Sequence, residues 1–140
     1  AEYLQHAHGS SGSLRWALAG RSADKLARVR DELGIDGALP LLVADAADTP
    51  ALQRLVARTQ VVITTVGPYQ RHGQPLVEAC AAAGTDYVDL CGEPAWMAQM
   101  IPLLQAPAQR AHRQLRHVDA GDELRRHHRA HRSAQGPARE

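Results

Sequence analysis

At 140 residues the chain can form one modest domain and not two, and no apolar run approaches the roughly 18 residues that a membrane-spanning helix needs. With no Phe and only 4% aromatic residues, its core must come from Leu, Val and Ala, which suits parallel strands covered by Ala-rich helices. The net charge of +1 hides a split, −3 over residues 1–108 against +4 over residues 109–140, and this marks a boundary near Ala108.

Residues 1–6 read as the end of a helix, and Gly9-Ser10-Ser11-Gly12 as a turn. A short buried strand is expected over 14–19, closed by Gly20-Arg21-Ser22. Ser22 is a candidate N-cap, and Leu26, Val29 and Leu33 recur at helical spacing until Gly34. Residues 41–44 form the next strand, ending at Asp45. Asp48-Thr49-Pro50 is a strong helix start, a capping carboxylate before a proline in the first turn. Leu52, Leu55 and Val56 give that helix a buried face. Residues 61–66 predict a third strand, and Leu76, Val77 and Cys80 line one side of the helix after it. A fourth strand is expected over 86–90. A last helix follows over 94–104, with Pro102 a point where it bends or restarts.

Four strands alternating with helices predict a doubly wound α/β sheet. Right-handed crossovers would bring the strand carboxyl ends to one rim, where ligands bind in such sheets. Beyond residue 108 the apolar period fails, so residues 109–140 read as a basic, partly disordered tail. Within it His127, His128 and His131 have metal-like spacing, but Arg126, Arg129 and Arg132 between them repel a cation, and no metal site is expected. The tail has no aromatic residue to stack on bases, so no specific nucleic-acid contact is expected either. Cys80 and Cys91 sit in apolar segments without ligand spacing, which fits a reducing, cytoplasmic setting.

Several residues at the strand ends suit a dinucleotide. An acidic residue after the second strand of such a fold bonds the ribose of NAD, whereas an arginine, here Arg21, suits the extra phosphate of NADP. The competing reading is an exposed Arg opening a helix. Gly20 would let the backbone approach the ribose, and Ser22 could add a hydroxyl bond. Asp45 is placed either to accept from an adenine amino group or to bond its own turn. Gly67-Pro68 leaves room for a cofactor beside the third strand. Tyr69, Arg71 and His72 are candidates to steer a substrate or donate a proton, or are loop surface. Glu93 suits a structural role, accepting bonds from loop amides.

Taken in order, Ala19-Gly20-Arg21-Ser22, Asp45, Thr65-Val66-Gly67-Pro68-Tyr69 and Asp86-Tyr87-Val88-Asp89-Leu90-Cys91-Gly92-Glu93 resemble the NADP-binding domain of saccharopine dehydrogenase-like oxidoreductases. The resemblance covers roughly residues 1–108 and points to the bacterial branch called trans-acting enoyl reductases. It implies a Rossmann-like fold and NADP as cofactor, with Gly20, Arg21, Ser22, Asp45, Val66, Gly67 and Pro68 as its contacts. Arg21 would lie near the 2′-phosphate, and no catalytic residue is assigned. Intact members of that branch would reduce a carbon–carbon double bond in a small-molecule, lipid or polyketide-type substrate.

Two departures bear on activity. Members open with a β-strand and a glycine-rich loop that hold the pyrophosphate, whereas this chain starts inside the helix such a loop precedes. After Gln109 the family pattern is lost. The expectation is therefore an incomplete Rossmann-like sheet lacking its first strand and glycine-rich loop, a reductase fragment inactive as this chain. The alternative is a non-enzymatic remnant or interaction module that self-associates through exposed sheet edges.

Overall fold

The computed structural model describes residues 1–9 and 14–111. The elements run α1 (Glu2–His8), β1 (Leu18–Gly20), α2 (Ala23–Glu32), β2 (Leu41–Val43), α3 (Thr49–Val56), β3 (Val61–Thr64), α4 (Tyr69–His72), α5 (Gln74–Ala83) and β4 (Asp86–Asp89). A final helix, α6, covers residues 94–111. It passes through Pro102 without a break, on an exposed face where water can satisfy the carbonyl left without a donor, and it continues past residue 108. The expected turn at Ser10-Ser11-Gly12 and the three tail histidines lie outside the described residues. Among the described residues no helix is long and apolar enough to cross a membrane, and no cluster of His, Cys, Asp or Glu could hold a metal ion.

Local chemistry sets the helix ends. The Ser22 side chain accepts from the Lys25 amide at 3.4 Å, and the Asp48 carboxylate accepts from the Ala51 amide at 2.9 Å with Pro50 in the first turn. Gly84, at φ 73° and ψ 22°, closes α5 in the left-handed conformation that glycine adopts without a steric penalty.

The strands are parallel but do not form one sheet. β1 pairs with β2 in the register Leu18–Leu41 to Gly20–Val43, and β3 pairs with β4 from Val61–Asp86 to Thr64–Asp89. No ladder joins β1 to β3, so the expected single doubly wound sheet is divided into two parallel pairs. The strand expected over 14–19 is shorter and later, and Gly20 belongs to it rather than to the turn. β1 is also not buried, because one of its edges has no neighbour and Ala19 is exposed.

Two apolar clusters hold the second pair. Leu52, Val56, Ala79 and Cys80 bring α3 against α5, with Val62 and Tyr87 packed on them from β3 and β4. Tyr69, Trp96 and Met100 join α4 to α6, with Val77 alongside. Leu76 and Val77, read as one face with Cys80, thus serve different clusters. Val29 is exposed, while Ile35 and Leu39, just past the end of α2, are buried. The opposite face of the β3–β4 pair stays open: Val61, Ile63 and Val88 are exposed, Ile63 by 67%.

Candidate functional site

The carboxyl ends of three strands open on one cavity of about 140 Å³. Ala19 and Gly20 of β1, Ala44 and Ala46 just past β2, and Val62 to Val66 along and beyond β3 form its walls. Leu52 and Leu55 of α3, Leu76 of α5 and Tyr87 of β4 complete an apolar lining, with His72 at its side. Segments far apart in sequence therefore share the rim that parallel-strand topology predicts.

The predicted contact residues take unequal places on this rim. Gly20 and Val66 line the cavity, while Arg21, Gly67 and Pro68 are exposed beside it and Ser22 is half-buried. Arg21 forms no ion pair among the described residues, which leaves its guanidinium available to an anion. Asp45, exposed between the lining residues Ala44 and Ala46, accepts a bond from the Ala47 amide at 2.9 Å. The turn reading of this carboxylate is realised, and one of its oxygens remains open to another donor. At Gly20 the missing side chain serves packing, since a Cβ there would lie 3.3 Å from Leu26 Cδ2. Gly67 has ordinary room, since a Cβ at that position would lie 3.6 Å from the Tyr69 ring.

Tyr69 is not loop surface. It is 6% exposed, and its hydroxyl donates to the Thr64 carbonyl and accepts from the Leu90 amide, both at 3.2 Å. One phenol therefore ties the end of β3 to the end of β4. Glu93 has the structural role expected of it: its two carboxylate oxygens accept from the Tyr69 amide at 2.6 Å and the Gln70 amide at 3.0 Å. These charge-assisted bonds cap α4 and engage its first amides, which are then closed to a cofactor phosphate. The Trp96 ring lies 5.8 Å from that of Tyr69, and Gly73 leaves the space for it, because a Cβ at Gly73 would come within 2.9 Å of Trp96. The helical stripe Tyr69, Gly73, Leu76, Val77, Cys80 carries the signal for this burial once it is read back across the glycine.

Two titrating groups near the cavity are held in their neutral forms. Burial pushes the fully enclosed Cys80 thiol up to about 11, so it is no nucleophile at neutral pH. Burial, followed by the Asp89 carboxylate, raises Tyr87 well above the ordinary phenol range, and its hydroxyl makes no hydrogen bond of good geometry. Among the described residues no nucleophile–base pair faces the cavity, so the rim can bind and orient a ligand but contains no assembled acid–base apparatus.

Comparison with known proteins adds a family and relatives. The family model for the saccharopine dehydrogenase NADP-binding domain matches residues 1–134. A Mycobacterium tuberculosis protein provisionally named a trans-acting enoyl reductase is 53% identical over 109 residues, 77% of this chain and 25% of the relative. Proteins named trans-acting enoyl reductase from Mycobacterium bovis and Mycobacterium ulcerans are 55% identical over 94 residues and 53% identical over 90 residues, each match covering 22% of the relative. The chain thus spans about a quarter of the length of the curated relatives it matches. No solved structure matches it.

Proposed function

Because the chain belongs to the saccharopine dehydrogenase NADP-binding domain family, we propose that it is the cofactor-binding part of an oxidoreductase that reduces a carbon–carbon double bond in a small-molecule substrate of lipid or polyketide type. The names of its relatives support the reaction class. The observation that carries the cofactor reading is the shared rim, with an unpaired Arg21 next to Gly20 on the cavity wall.

The residues present suit the adenosine end of NADP. Arg21 would pair with the 2′-phosphate, a bidentate contact that its planar guanidinium favours. Ser22 would add a hydroxyl donor, since its oxygen only accepts from Lys25 in the helix cap. The free oxygen of Asp45 would accept from the adenine amino group, and the backbone from Val66 to Pro68 would border the ribose. When bound, NADPH supplies the hydride; this chain's own residues bind and orient. The cavity is smaller than the roughly 300–1,000 Å³ of ordinary ligand pockets, so the dinucleotide would lie along the rim. With the α4 amides engaged by Glu93 and the strand pairs unjoined, the chain alone binds weakly and is inactive.

Saturation-transfer NMR with NADPH and NADH tests this reading. NADPH is expected to be preferred by about tenfold or more, and Arg21→Ala to abolish that preference while leaving NADH unchanged. Equal binding of the two cofactors by the unaltered chain would refute the assignment.

A second reading is favoured by the division of the sheet: four strand edges have no neighbour among the described residues. Such edges template pairing, so the chain would serve as an interaction module that associates with itself. Size-exclusion chromatography over a concentration series separates the two, and a monomer at all concentrations counts against association.

A further inference from the structure

From the end of β3 into α4 every backbone donor is engaged and two acceptors are not. The Val66 amide donates to the Thr64 hydroxyl at 3.2 Å, and the Gly67 amide to the Thr65 carbonyl at 3.1 Å. Pro68 has no N–H. Glu93 takes the amides of Tyr69 and Gln70, and the Pro68 carbonyl takes those of Arg71 and His72, both at 3.1 Å. The Thr64 carbonyl accepts from the Tyr69 hydroxyl. The carbonyls of Val66 and Gly67 accept nothing among the described residues, and both residues are exposed. The backbone of this loop therefore offers a ligand acceptors and no donors.

Two side chains impose the arrangement. Tyr69 is buried; its hydroxyl holds the Thr64 carbonyl, and its own amide is held by Glu93. Both ends of residues 65–68 are thus tied to one tyrosine. The same hydroxyl accepts from the Leu90 amide, which fixes the loop against the end of β4 as well.

We propose that Tyr69 and Glu93 are positioning residues that present the Val66 and Gly67 carbonyls to an uncharged hydrogen-bond donor of the ligand, a sugar hydroxyl or a carboxamide N–H, and close the loop backbone to phosphate. The inference deepens the cofactor reading and rests on it for the class of ligand. A phosphate is bound through donors, and a carbonyl oxygen turned toward one sets acceptor against acceptor. A hydroxyl or an amide N–H is the complementary group. In a phosphorylated dinucleotide this gives the loop a ribose or the carboxamide and leaves the anionic groups to Arg21. Because the carbonyls are fixed before any ligand arrives, little ordering is needed on binding.

The test titrates the full, isotope-labelled chain with three probes in turn: methyl β-D-ribofuranoside, nicotinamide and inorganic pyrophosphate, each into the millimolar range. NMR follows the carbonyl carbons of Val66 and Gly67. A saturable shift is expected with the riboside or with nicotinamide, and whichever produces it identifies the donor. Pyrophosphate should leave both carbons in place. Tyr69→Phe keeps the ring and removes the hydroxyl, whereas Glu93→Gln keeps the shape and removes the charge. Each should weaken the neutral probe at least about threefold while the resonances of β1 and β2 stay in place. If one variant does not fold, the other decides. A loop that answers pyrophosphate as strongly as the neutral probes, or answers none of the three, overturns the proposal. Unchanged probe affinity in a folded variant also overturns it, since the bonds would then serve the fold alone. An absent NADPH preference concerns Arg21 and leaves these carbonyl shifts readable, so the two readings fall separately.

Discussion

The two strand pairs are held by different kinds of bond. Around β3 and β4, side chains reach across the sequence: Glu93 to the amides of Tyr69 and Gln70, Tyr69 to Thr64 and Leu90, and Thr85 to the carbonyls of Val56 and Thr59. Around β1 and β2 the side-chain bonds stay closer along the chain, spanning two or three residues at Ser22, Asp36, Asp45 and Asp48 and seven at Trp16. Local caps begin and end elements but do not fix one element against another. Long-range bonds do, so the β3–β4 half is cross-braced, whereas the β1–β2 half is a series of well-started pieces packed on α2 that reaches the α3–α5 cluster through Ala44.

That contrast can be broken most directly at Leu52, which is buried in the main cluster and also lines the seam between the halves. Leu52→Ala should cost about 2–5 kcal/mol and lower the chemical-denaturation midpoint of both halves together. If only one half responds, α3 is not their common support. Glu93→Gln sharpens the contrast at an intermediate level. It replaces the charged acceptor of two amides, should cost about 1.5–3 kcal/mol, and should speed hydrogen exchange at Tyr69 and Gln70 while leaving β1 and β2 as they are. The smallest effect is expected at a local cap: Asp48→Ala should lose about 1 kcal/mol and loosen the first turn of α3 only, read by exchange at Ala51. An effect at Asp48 as large as that at Glu93 would erase the distinction between bracing and capping.

Much of the element order was legible in the chain because its signals are local. Asp48 before Pro50, Ser22 before a helical stripe and Gly84 after one each carry their own backbone chemistry, and each stands where expected. That the strand ends share a rim followed from alternation; of the residues expected there Gly20 lines the cavity, Arg21, Asp45, Gly67 and Pro68 are exposed outside its lining, and Gly92 and Glu93 do not line it. What could not be read depended on neighbours that are not local. Whether β1 and β3 pair is decided across the seam, and no residue in either strand records it. Tyr69 looked like a loop phenol because the glycine at position 73 interrupts its stripe, yet that glycine is what admits Trp96. Gly20 looked like room for a ligand, and Leu26 takes the room. The cofactor contacts proposed at Arg21, Ser22 and Asp45 rest on their placement beside the rim.

The chain has two tryptophans, and they fall on opposite sides of the seam. Trp16 precedes β1, half-buried, with its indole N–H donating to the Gly9 carbonyl at 2.8 Å, whereas Trp96 is enclosed against Tyr69. Nature has in effect labelled each half with its own fluorophore in a different environment. Replacing either indole by phenylalanine leaves a single optical reporter, and comparing the two emission traces would time the melting of one half against the other.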